Sequence, residues 1–100
     1  MKPALTPARF ARALALASNA FDVPAPTLLS RQRPALVARA RLALYAALYL
    51  AFDTSSTEIA ARVQRDHTTV LGGIRREKRR AKADPDYAAA LGQIVNEVAL

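Results

Sequence analysis

The stretch Arg65-Asp66-His67-Thr68-Thr69, followed by Val70 and Leu71, is the densest in chemistry along this chain. A carboxylate, an imidazole and two hydroxyls occupy consecutive positions, and the histidine is the chain's only one. Such a set could do three kinds of work. The first is covalent catalysis, but a hydroxyl nucleophile needs an activating partner, and there is no second His and no Cys to complete a site. The second is anion capture. Asp66 can accept a hydrogen bond from the backbone N–H of Thr69 and so act as an N-cap, and the N–H groups and positive dipole end beyond it suit a phosphate. The third is reading base edges. Asp can accept from the amino group of cytosine, and Thr and His can offer a methyl or ring carbon to the thymine methyl. Hydroxyls and N–H groups would hold the adjacent phosphates.

Composition narrows the choice. Fifteen Lys and Arg against 8 Asp and Glu give a net charge of +7 over 100 residues. That excess points to a polyanionic partner, with nucleic acid ahead of an anionic membrane or ribosome-like packing. The absence of Cys excludes disulfides, thiolate metal sites and a cysteine nucleophile, and one His cannot build a usual zinc site. The pair Gly72-Gly73 lacks the Lys-Ser/Thr of a phosphate-cradling loop, and Asp84 and Asp86 fit a helix start better than a carboxylate pair. No enzyme and no cofactor are expected. The longest apolar run, Leu42 to Phe52, is 11 residues, too short to cross a bilayer, and Arg9 and Arg12 interrupt any signal-like N-terminus. The expectation is a cytoplasmic, nucleoid-associated protein with no membrane partner.

The elements that must position the motif are helical. Ala and Leu dominate, with only 3 Gly and 6 Pro, and 52% of residues are apolar. Thr6 and Pro7 open a helix over about 7–20, with Phe10, Leu14 and Ala17 on one face. Arg9 and Arg12 on that helix are either phosphate contacts or a solvated face. Asp22–Pro26 reads as a connector whose two prolines forbid a continuous helix, and Thr27–Ser30 as a short turn. A compact basic loop, Arg31-Gln32-Arg33-Pro34, leads into a helix from about Ala35 to Phe52 that is apolar nearly all round and so central. Its tyrosines, Tyr45 and Tyr49, are read as core, with base stacking as the alternative. Arg31, Arg33, Arg39 and Arg41 place four guanidiniums within eleven residues.

Ser55 and Glu58 have capping-box spacing ahead of a short helix over about Thr57–Val63. Gln64 and Arg65 turn the chain, and a second helix runs from Asp66 to about Ala83, with Val70 and Ile74 inward at i, i+4. A short helix, a tight turn and a longer helix with a polar start form the helix-turn-helix pattern. Six of the eight residues Arg75–Lys82 are basic. Gly72 and Gly73 cost helix stability and are read as close packing against another helix. Asp84 and Pro85 open a last helix, whose Tyr87, Leu91, Ile94, Val95 and Val98 can pack on the core or on a further protein.

The run Arg65-Asp66-His67-Thr68-Thr69-Val70-Leu71 resembles the signature of the C-terminal DNA-binding domain (domain IV) of the bacterial replication initiator DnaA. Leu28–Arg33 with Val37–Arg41 resembles that family's basic loop and long helix, and Ser55–Ile59 resembles the first helix of its helix-turn-helix. The likeness spans about residues 10–97. It implies an all-α bundle of about six helices as one domain over 1–100, with the helix-turn-helix at about 57–83. It implies double-stranded DNA as partner, through a box of the TTATNCACA type. Asp66, His67 and Thr68 would meet base edges in the major groove, and Arg33 would enter the adjacent minor groove with Arg31 beside it. Thr69, Arg31, Arg39, Arg41, Arg65, Arg75 and Arg76 would lie along the backbone. The chain departs from the pattern at Thr57, where a Pro is usual, at Gln64, where glycines are, in a turn shorter by about one residue, and at Gly72-Gly73.

These 100 residues hold no nucleotide-binding motor. The expectation is a reader without a motor, acting as a sequence-specific transcriptional regulator. Resembling domains occur in small alphaproteobacterial and phage-related proteins, including activators of gene transfer agents. Two alternatives stand beside it. One is a replication modulator that occupies initiator boxes. The other is a protein-interaction module that works through the C-terminal helix and has lost DNA binding.

Overall fold

Polar residues at the helix ends set the boundaries of this structure, a computed structural model that describes residues 1–31 and 35–99. Among them, six helices run in the order α1 (Pro7–Phe21), α2 (Ala25–Leu28), α3 (Ala35–Ala51), α4 (Ser56–Val63), α5 (His67–Ala83) and α6 (Pro85–Val98). The all-α bundle expected from the sequence is what forms. Thr6 caps α1 by accepting from the Arg9 N–H at 3.2 Å, with Pro7 in the first turn. Asp84 caps α6 by accepting from the N–H groups of Asp86 and Tyr87, at 3.1 and 3.2 Å. Such caps satisfy donors that a helix start otherwise leaves open.

Two local expectations need correction. The connector at Asp22–Pro26 is not wholly irregular, because Pro24 stands at the N-cap of α2 and Pro26 lies in its first turn. Prolines that cannot continue one helix here begin another, since the first turn needs no N–H from them. The capping box of α4 is only half made. Ser55 accepts from the Glu58 N–H at 3.1 Å, but the Glu58 carboxylate accepts from the Thr54 hydroxyl instead of reaching back to Ser55.

α3 is the central post and packs against each of the other five helices. Leu44, Leu48, Ala40, Ala43, Ala46 and Ala47 are essentially without solvent exposure. The small side chains of the four alanines let α1, α5 and α6 approach closely. Phe52, Leu28, Ile59, Val70 and Ile74 complete the core. Each fully buried large apolar side chain contributes roughly 1.5–3 kcal/mol. Tyr45 and Tyr87 are buried and Tyr49 is half-buried, with the Lys78 ammonium 5.6 Å from the Tyr49 ring centre. The core reading of Tyr45 and Tyr49 therefore holds fully for Tyr45, while Tyr49 packs against the core only half-buried.

α6 lays Tyr87, Leu91, Ile94 and Val98 into the core, against α1, α3 and α5. Ahead of α1 the chain is tied to the α3–α4 corner. The Pro3 carbonyl accepts from the Asp53 N–H at 2.8 Å, Leu5 is buried, and Arg62 of α4 donates to the Leu5 carbonyl at 3.1 Å. The radius of gyration, 12.2 Å, matches the ~13 Å of a close-packed hundred-residue domain. Among the described residues, no helix is long and apolar enough to cross a membrane.

Candidate nucleic-acid interface

α4 stops because Gln64 takes left-handed backbone, φ 55°. The Arg65 N–H then donates back to the Ala60 carbonyl at 3.0 Å. This closes the helix the way a glycine usually does, with a side chain that pays the left-handed penalty of roughly 1–2 kcal/mol. Three residues, Gln64 to Asp66, carry the chain into α5. Val63 is buried before the turn and Val70 after it, so packing fixes both arms.

Asp66, His67, Thr68 and Thr69 are all exposed on the first turn of α5. Asp66 stands at the N-cap, but its side chain makes no capping bond. The expected bond from the Thr69 N–H does not form, because the Asp66 carboxylate instead accepts from the Thr68 hydroxyl. The backbone N–H groups at the head of a 17-residue helix are thus left uncapped by this side chain. They add a positive partial charge to a basic surface. The Thr68 hydroxyl proton is committed to Asp66, which leaves the Thr68 methyl group for apolar contact. His67 is held too: its Nε2 lies 2.8 Å from the Ser56 Oγ.

The arginines divide into two groups. Arg31, Arg39, Arg75 and Arg76 are exposed, as are Lys78 and Arg79. Arg41 and Arg65 are engaged inside the protein. Arg41 is 8% exposed, and its guanidinium donates to the carbonyls of Leu28, Thr27 and Ser30 at 2.9, 3.0 and 2.6 Å. Arg41, expected along a DNA backbone, is thus largely buried, and its charge ties α3 to the end of α2. Arg65 is half-buried and donates to the Ser30 and Gln64 carbonyls. The Ser30 carbonyl therefore takes one arginine from α3 and one from the α4–α5 turn. Arg33 lies outside the described residues.

An open cleft of about 720 Å³ lies between α3, the turn and α5, and Arg31, Arg41, Arg65, Asp66, Thr69 and Arg76 line it. Tyr45 also lines it. Burial pushes the Tyr45 phenol up, and the charges of Arg65 and Arg41 pull it back in part. A concavity lined by four guanidiniums and one carboxylate favours a polyanion. Arg39 is not among its lining residues. Its charge acts instead on Tyr87 of α6, lowering a phenol that burial and Glu77 raise.

Gly72 and Gly73 also separate. A Cβ on Gly73 would stand 2.5 Å from Leu42 Cδ2 of α3, whereas one on Gly72 would meet nothing within 4 Å. Close helix packing explains Gly73 alone. Two residues that sequence reasoning passed over now matter, Ser30 and Ser56. The first works through its carbonyl, which no side-chain pattern reveals. The second lay unnoticed within the hydroxyl cluster Thr54–Thr57. No protein-family model matches the chain, and no curated protein matches it.

Proposed function

We infer that this protein binds double-stranded DNA at a specific sequence, with α4, the turn and α5 acting as a helix-turn-helix. The first turn of α5 would enter the major groove, with Asp66, His67 and Thr68 at base edges and Thr69 on a phosphate. The basic loop with Arg31 and Arg33 would lie at the adjacent minor groove. The observation that carries this reading is the joint exposure of Asp66, His67, Thr68 and Thr69 at the head of a helix that also exposes Arg75, Arg76 and Arg79. The likeness of the same residues to the DnaA signature supports it. The use we assign is regulation of transcription, with occupancy of replication-initiator boxes as the second reading. Genomic footprints at promoters favour the first, and footprints at an origin favour the second. An interaction module working through the C-terminal helix is disfavoured, because the apolar residues of α6 lie in the core.

The test is selection from a random duplex library, followed by titration of the selected site across salt concentrations. A single enriched motif and an affinity that falls steeply with salt are expected. His67→Ala or Thr68→Ala should cost about 1–3 kcal/mol of discrimination between sites. Arg79→Ala should weaken all sequences alike and flatten the salt slope. No binding to any duplex at low ionic strength would end the proposal.

A further inference from the structure

We propose that Ser56 is a positioning residue for His67, holding its ring so that one chosen nitrogen is presented to the DNA. The functional half of this rests on the DNA-binding reading above; the Ser56–His67 contact can be tested without it. Ser56 is the first residue of α4 and His67 the first of α5. The Oγ to Nε2 distance of 2.8 Å thus links the heads of two helices across the turn. Both backbones are fixed, Ser56 by the cap that Ser55 supplies and His67 by the turn that Arg65 ties to Ser30. The Asp66 carboxylate, next to His67 in sequence, accepts from the Thr68 hydroxyl.

A neutral imidazole has one donor and one acceptor nitrogen, and the partner of one sets the role of the other. An imidazole nitrogen is a better acceptor than a hydroxyl oxygen, so the stronger arrangement has Ser56 donating to Nε2. The ring proton then sits on Nδ1. Nδ1–H becomes a donor, matched to the acceptors that guanine, adenine or thymine show in the major groove. An unheld ring would sample both tautomers and more than one rotamer, and would discriminate less. Ser56 thereby contributes to base selection without touching a base.

His67 is the chain's only histidine, so imidazole nitrogen NMR reads this ring with no overlap. In alkaline buffer the free wild-type protein should show mainly the Nδ1–H tautomer. Ser56→Ala should revert toward the mixture of an unheld imidazole, and Ser56→Thr should restore the wild-type pattern. Ser55 keeps α4 capped in both variants, and circular dichroism checks that they remain helical. On DNA, Ser56→Ala should lower discrimination at one position of the selected site by about tenfold. Its salt slope should stay unchanged, and Ser56→Thr should recover the preference. Identical ring nitrogen shifts in wild type and Ser56→Ala would overturn the contact. Altered shifts with unchanged discrimination would overturn the role in selection. If the wild-type protein binds no duplex, the DNA reading fails while the nitrogen shifts still decide the contact.

Discussion

Glu77 and Tyr87 show how a single acid is accommodated in a helix of basic residues. Glu77 is 2% exposed, the Tyr87 hydroxyl donates to it at 3.0 Å, and Arg80 approaches at 3.8 Å. The Arg80 guanidinium also lies 4.3 Å from the centre of the Tyr87 ring. Tyr87→Phe keeps the ring and removes the donor, leaving a buried carboxylate short of a partner. It should destabilise the fold by about 1–3 kcal/mol at neutral pH. The effect depends on pH. Burial, then the Glu77 charge and its hydrogen bond, hold the Tyr87 phenol well above its ordinary range. An unfolded phenol loses its proton at about pH 10. Above that pH the unfolded chain binds fewer protons than the folded one, so this contribution to stability falls as pH rises. Urea titrations at neutral and strongly alkaline pH should therefore show the gap between wild type and Tyr87→Phe narrowing.

The sequence held signs of both buried charges. Glu77 is spaced with Val70 and Ile74, and Arg41 stands four residues from both Val37 and Tyr45, all of them inward-facing. Periodicity therefore places both on core faces, but residue type alone argues for the surface. The backbone carbonyls and the Tyr87 hydroxyl that make their burial tolerable come from elements distant in sequence.

At the scale of the element, most starts and stops were legible because they are local. Thr6, Ser55 and Asp84 cap the helices they precede, and Pro7 and Pro85 begin theirs. Asp66 stands at the N-cap as its sequence position implies, but its side chain has two acceptable partners, the Thr69 N–H and the Thr68 hydroxyl, and takes the second. Composition cannot rank them. α5 also yields a prediction about its paired glycines. Gly72→Ala meets no neighbour and should gain up to ~1 kcal/mol of helix stability. Gly73→Ala should fall short of that gain, since Leu42 must shift to admit the new methyl. Thermal denaturation of the two single variants and the double variant separates the effects. An equal gain at both positions would mean that α3 and α5 are not in close approach at Gly73.

At the scale of the molecule, the exposed candidate readers cluster because distant segments are tied together. The Ser30 carbonyl joins α3 and the α4–α5 turn through Arg41 and Arg65, and the segment Pro3–Leu5 joins the α3–α4 corner through Asp53 and α4 through Arg62. None of this was legible, since hydrogen bonds to backbone carbonyls over separations of up to 57 residues leave no mark in local pattern. Leu5 is 7% exposed, and Leu5→Ala should cost roughly 2 kcal/mol. Amide exchange should quicken first in α4, which loses its support on that side, before it does so in α6.

The stitching of Pro3 to Asp53 has a practical consequence. Two residues span at most about 7 Å, so anything joined ahead of Met1 emerges beside the α3–α4 corner, next to the helix that begins with Ser56. An affinity tag or fluorophore at that end is not remote from the candidate reading surface.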